Sequence, residues 1–269
     1  MYLTANERRY WVEEIGSSTG TPVVFLHGFT GTRATWYDVI ASFSATNRCI
    51  ALDLPGHGKS TLTDPIRMED FCEDLALLFE QLAIGQAHLV GYSMGGRAAL
   101  SFAISYPKRV ATLTLESASP GLESSHEQVA RQTKDDSLAQ KIEENGIIAF
   151  VEEWEDLPLF ATQKNMSEEK KEKIHAERLA QSERGLAASL RGMGTGKQPS
   201  WWDQLATASS PVLLIAGSLD KKFVSIAEKM ATNFRNATLH IVPNTGHAVH
   251  VEQTEKFGTI VKDFIYMEE

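Results

Sequence analysis

Ala87-His88-Leu89-Val90-Gly91-Tyr92-Ser93-Met94-Gly95-Gly96-Arg97-Ala98-Ala99-Leu100-Ser101-Phe102-Ala103 is the stretch whose reading decides the fold. Ala87 to Gly91 reads as a short β-strand. From Gly95 onward the residues are apolar on nearly every side, as in a helix buried in a core. Between them Gly91-Tyr92-Ser93-Met94-Gly95 satisfies G-x-S-x-G. A strand-to-helix turn this tight admits only glycine at its flanks, and it projects the serine hydroxyl above the sheet. The helix that starts behind it aims backbone N–H groups at the same spot.

The same alternation runs outward on both sides. Thr21-Pro22-Val23-Val24-Phe25-Leu26 is a continuous β-prone run closing on His27-Gly28, which marks a buried parallel strand. Arg48 to Leu54 is another, stopped by Pro55-Gly56-His57-Gly58. Met68, Phe71, Leu75, Leu78, Phe79 and Leu82 then recur at spacings of three and four, one face of an amphipathic helix. Val110 to Leu115 is a fourth strand. Strands alternating with helices imply an α/β fold with a mostly parallel central sheet and right-handed crossovers.

From Gly121 to Gln204 no strand-like run occurs, only charged helical segments, one of them capped by Ser167 with Glu168 and Glu169 in its first turn. Pro211 to Gly217 and Leu239 to Val242 resume the strands, and Phe257, Ile260, Val261 and Phe264 mark a closing helix. The expected organisation is a core of residues 1–120 and 205–269, with residues 121–204 inserted as a helical cap. The insertion follows the C-terminal end of a strand, where open α/β sheets bind their ligands.

Two positions join Ser93. Asp220 lies just past the strand ending at Gly217, and His247, in Asn244-Thr245-Gly246-His247, just past the last strand. The chain order serine, aspartate, histidine at C-terminal strand ends makes a nucleophile, an orienting acid and a base. His27-Gly28-Phe29 follows the first buried strand and offers the Phe29 N–H as a second oxyanion donor beside that of Met94. His250 reads as packing and His57 as a structural turn residue. His27, His57 and His247 lack metal-ligand spacing, so no metal site is expected. Lys59 is not part of a phosphate loop, because G-x-x-x-x-G-K is absent.

Arg97 is the informative neighbour. It stands four positions after Ser93, one turn into the buried helix and on the same face. A guanidinium buried there costs several kcal/mol unless an anion answers it. The answering group is either a protein carboxylate, such as Glu116 or one from the cap, or the carboxylate of a substrate.

Composition bounds the classes. The chain has 269 residues, 42% of them hydrophobic and 23% charged, which suits one large α/β domain or two small ones without a metal or disulfide staple. Its 26 Lys and Arg against 35 Asp and Glu give a net charge of −9, which disfavours nucleic acid and anionic membranes as partners. Cys49 and Cys72 read as small core side chains. No apolar run approaches the roughly 20 residues of a membrane span, and the first residues lack a signal peptide's basic-then-apolar order, so a cytoplasmic protein is expected.

HGF at 27–29, DLPGHGKS at 53–60, GYSMGG at 91–96, LD at 219–220 and GH at 246–247 resemble the α/β-hydrolase superfamily across essentially the whole chain. Serine at 93 argues against dehalogenases and epoxide hydrolases, which place aspartate there. Narrower motifs are similar to one family, the 2-succinyl-6-hydroxy-2,4-cyclohexadiene-1-carboxylate (SHCHC) synthases of menaquinone biosynthesis. They are GYSMGGRAAL at 91–100, Ala130-Arg131-Gln132, Trp154-x-x-x-Pro158-Leu159-Phe160, Arg178, GMGTGKQPSWW at 192–202 and Asp220-Lys221-Lys222-Phe223. Residues 121–129 carry no motif that aligns securely.

The resemblance implies a lyase on hydrolase machinery, eliminating pyruvate from 2-succinyl-5-enolpyruvyl-6-hydroxy-3-cyclohexene-1-carboxylate without cofactor or metal. It implies a catalytic Ser93, Asp220 and His247, an oxyanion hole of Phe29 and Met94, and substrate contacts from Tyr92, Arg97, Arg131, Trp154, Arg178 and Lys222. The partner is then a small anion with several carboxylates. Two alternatives stand beside it: a serine esterase or C–C bond hydrolase for acidic small molecules, and a ligand receptor that keeps the triad without turnover.

Overall fold

A computed structural model describes residues 1–16, 20–62 and 64–268. Its eight strands are β1 (Tyr2–Ala5), β2 (Arg8–Gly16), β3 (Val23–Leu26), β4 (Arg48–Leu52), β5 (Ala87–Tyr92), β6 (Val110–Glu116), β7 (Val212–Gly217) and β8 (Ala237–Val242). They form one sheet in the order β1-β2-β4-β3-β5-β6-β7-β8. The β1–β2 and β2–β4 pairs are antiparallel and every later pair is parallel. No continuous apolar run marks the antiparallel β1–β2 edge in the sequence. Its residues alternate polar with apolar because one face meets water, a weaker signal than the continuous runs of β3 to β7.

The helices are α1 (Tyr37–Phe43), α2 (Met68–Gln81), α3 (Met94–Ser105), α4 (Ser125–Glu155), α5 (Glu168–Leu179), α6 (Glu183–Met193), α7 (Lys221–Asn233), α8 (Val249–Glu252) and α9 (Thr254–Glu268). On one face of the sheet α2 and α3 bury Phe71, Leu75, Phe79 and Phe102 against Leu89, Leu113 and Leu214. On the other, α1 and α9 close over Phe25, Val90, Leu213 and Ile215 with Trp36, Phe43 and Phe257. Cys49 and Cys72 are buried free thiols within these layers.

Between β6 and β7 the described residues are helical or irregular. Here α4, α6 and the segment around Trp154 share a separate apolar cluster of Ala139, Ile142, Phe150, Val151, Leu186 and Leu190. Ser167 caps α5 by accepting the Lys170 N–H. Among the described residues no helix is long and apolar enough to cross a membrane, and no cluster of three metal-ligating side chains occurs.

Candidate active site

Ser93 sits at the β5–α3 turn with φ +49° and ψ −106°, a conformation an L-residue adopts only where its surroundings enforce it. They do so sterically: a Cβ on Gly95 would overlap the Leu26 carbonyl, and one on Gly91 would lie 2.5 Å from the Gly95 oxygen. The Ser93 N–H is tied to the Glu116 carbonyl on β6 at 2.9 Å. Met94 begins α3, so its N–H has no intrahelical acceptor.

Asp220 ends the turn after β7 and caps α7, where Oδ1 accepts the Phe223 N–H at 3.3 Å. Its Oδ2 lies 2.7 Å from His247 Nδ1, and His247 Nε2 lies 3.2 Å from Ser93 Oγ. A carboxylate only accepts, so Nδ1 carries the imidazole proton and Nε2 is left to receive that of the serine. Glu252 braces the histidine loop by accepting the Gly246 N–H at 2.9 Å while its other oxygen takes the Thr162 hydroxyl.

A cavity of about 360 Å³ opens over Ser93. Phe29, Tyr92, Met94, Arg97, Arg131, Trp154, Lys222 and His247 are all in its wall. On the core side His27 fixes the Phe29 loop: Nε2 accepts the Leu54 N–H at 2.9 Å and Nδ1 donates to the Gly28 carbonyl at 2.7 Å. Burial pulls the pKa of His27 down to about 4 and that of neighbouring His57 to about 3, so both are neutral scaffolding.

Arg97 is 8% exposed. Its Nη1 donates to the Met193 carbonyl at 2.8 Å and to Gln198 Oε1 at 3.1 Å. Nε and Nη2 have no acceptor among the described residues, and no described carboxylate forms an ion pair with it. Burial, then repulsion from Arg131, pulls its pKa down to about 10. Glu116, the protein carboxylate considered from the sequence, is committed elsewhere: it pairs with His250 Nδ1 at 2.8 Å and accepts the His250 N–H.

The other cations differ in placement. Arg131 reaches the cavity while paired with Asp135 at 2.7 Å. Lys222 is at the wall in an exposed position, without a described ion pair. Arg178 does not line this cavity. It lies across Phe160, 4.9 Å from the ring centroid, donating to Glu155 at 3.0 Å and Gln163 at 3.3 Å beside a second cavity of about 210 Å³. Sequence motifs place Arg178 near the site but cannot say which side of Phe160 it occupies.

Ser, Asp and His past the C-terminal ends of β5, β7 and β8 define a class, and residues 21–254 match the α/β hydrolase fold family. The chain belongs to that family. A Bacillus subtilis (strain 168) protein named for 2-succinyl-6-hydroxy-2,4-cyclohexadiene-1-carboxylate synthase activity is 41% identical over 96% of this chain and 94% of its own length. The synthase of that name from Escherichia coli O1:K1 is 30% identical over 86% of this chain and 88% of its own. The solved structure of MenH from S. aureus superposes with a TM-score of 0.91 at 36% identity, covering 96% of this chain and 98% of that one. Within the hydrolase fold, this chain falls in the SHCHC synthase family.

Proposed function

We propose that the chain eliminates pyruvate from 2-succinyl-5-enolpyruvyl-6-hydroxy-3-cyclohexene-1-carboxylate to give SHCHC, a step of menaquinone biosynthesis. The observation that carries the reading is Arg97: a buried guanidinium on the cavity wall, one helical turn from Ser93, with two nitrogens lacking an acceptor and no ion-paired carboxylate among the described residues, Asp135 acting on it only through space. A substrate carboxylate answers that charge. Arg131 and Lys222 extend the cationic wall for a multiply charged anion, and Tyr92 and Trp154 bound the ring. Residues 121–204 serve as the cap that covers it, in a cytoplasmic enzyme.

His247, oriented by Asp220, takes the Ser93 proton, and the serine oxygen removes the acidic proton beside the succinyl ketone. That C–H bond breaks and the enolate oxygen settles between the Phe29 and Met94 N–H groups, each worth roughly 10²–10³ in rate. Electron flow through the ring shifts its double bonds and breaks the C–O bond to the enolpyruvyl group. The enolate of pyruvate leaves and takes up a proton. No water is consumed.

Incubation with the enolpyruvyl cyclohexene acid tests this. Stoichiometric pyruvate, with no solvent oxygen in the ring product and no acyl-Ser93, is the expected result. An accumulating acyl-Ser93 with solvent oxygen in the product would assign a hydrolase instead, and no turnover of any substrate would leave a receptor.

A further inference from the structure

The Phe29 N–H donor sits on a loop that its own sequence holds only in part, through the Gly31 N–H to the Gly28 carbonyl at 3.1 Å. Thr30, two residues past Gly28, adopts φ +69°. For a β-branched residue that is an outlier, sustained only where neighbours over-determine it. The core contributes His27 on one side of the loop. Asp53 takes the Arg33 N–H at 2.9 Å just beyond it, and further ties on Thr30, Gly31 and Thr32 come from α5 and the residues just after it, far away in sequence.

Gln181 is buried, and its amide is fully used. Nε2 donates to the Thr30 carbonyl at 3.1 Å and the Gly31 carbonyl at 3.3 Å, while Oε1 accepts the Gly58 N–H at 3.0 Å. Glu177, one turn earlier, accepts the Thr32 N–H at 2.7 Å and the hydroxyls of Thr32 and Thr35. The Phe29 ring packs edge-on against Trp154 of α4, centroids 5.4 Å apart. Neither Glu177 nor Gln181 lines the cavity over Ser93.

We infer that Glu177 and Gln181 are positioning residues for the anion hole: through the Thr30–Thr32 backbone they set the Phe29 N–H from the cap side. Docking of α5 on the core and completion of the oxyanion hole are then one event, and a cap lifted away leaves the triad with only the Met94 donor. The inference rests on the anion hole of the proposed reaction, so its test includes a reaction that needs the hole whatever the natural substrate. Phosphonylation by a fluorophosphonate is one. The Ser93 Oγ–P bond forms, the P–F bond breaks, fluoride leaves, His247 takes the hydroxyl proton, and the P=O oxygen occupies the hole.

In Glu177→Ala/Gln181→Ala, kcat for pyruvate release should fall about 10–100-fold, less than the roughly 10²–10³ for outright loss of an oxyanion donor because the Phe29 N–H is displaced and not removed. KM should change less than about threefold, and phosphonylation should slow in parallel. Glu177→Gln keeps the Oε1 acceptor and should retain rates within about threefold. Gln181→Glu is isosteric but turns an acceptor toward the Thr30 and Gly31 carbonyls, so it should lose rate as the double variant does. If the double variant does not fold, Gln181→Glu decides by the same criteria. Phosphonylation at the wild-type rate by a variant with a native melting temperature overturns the inference. A wild-type protein that phosphonylates normally but releases no pyruvate overturns the substrate reading instead, and leaves the positioning role to be judged by phosphonylation.

Discussion

Two histidine–carboxylate pairs lie three residues apart in this chain and differ in what they touch. His247 meets Asp220 on one nitrogen and Ser93 on the other, at the wall of the cavity. His250 meets Glu116 on one nitrogen; the other is buried without a partner among the described residues, and the ring packs against Trp36 and Tyr92 at 4.5 and 4.6 Å. The acid–imidazole chemistry is the same in both. Access to a hydroxyl distinguishes them, so one pair suits catalysis and the other clamps the α8 end of the histidine loop to β6.

The largest expected effect tests that division directly. Ser93→Ala, His247→Ala and Asp220→Asn should each lower kcat by about 10⁴ or more, with combined variants little worse than the single ones, because the three act as a unit. Steady-state pyruvate release on the single, double and triple variants checks this, and a His247→Ala enzyme with near-normal kcat would break the comparison.

The buried pair should respond in stability. Glu116→Gln or His250→Ala strands a polar group in the core, a loss of about 3–5 kcal/mol, or on the order of 10 °C in melting temperature for a chain this size. Activity measured well below that melt should fall far less than in the triad variants. A native melt with abolished turnover would move the catalytic assignment toward this pair.

Arg97 sharpens the contrast, since it is buried without an ion pair among the described residues. Arg97→Ala should weaken kcat/KM by roughly 2–5 kcal/mol and leave the melting temperature nearly unchanged. Lysine should restore only part, lacking the bidentate fork. Lower stability with unchanged kcat/KM would give Arg97 a structural job and remove the main physical support for the carboxylate pocket.

A graded effect, spread over pH and not produced by one substitution, comes from His27 and His57, whose folded pKa values of about 4 and about 3 lie below the unfolded value near 6.5. The unfolded chain binds these protons first, so their contribution to stability is complete above pH 6.5. It is lost as the pH falls toward 4, by at most about 1.4 kcal/mol per pH unit for each histidine. Denaturant melts between pH 7 and 4.5 should show this slope, and His57→Gln should flatten part of it.

What the sequence alone determined is local and steric. Gly91, Ser93 and Gly95 can make only one kind of strand-to-helix turn, the continuous runs of β3 to β7 can only be buried, and Asp220 and His247 follow strand ends by position. These readings need a few neighbouring residues and no knowledge of what lies across the sheet. The alternating β1–β2 hairpin escaped because a half-exposed strand at an edge carries a diluted signal. Only the tertiary structure decided which charges meet. It gives Glu116 to His250 rather than Arg97, puts Arg178 behind Phe160, and brings Glu177 to Thr32 across 145 positions of chain. Ion pairs and hydrogen bonds act over a few ångströms, while the sequence orders residues along a chain that crosses the molecule many times. Partners of buried charges are therefore set by how the layers pack, and spacing along the chain does not reveal them.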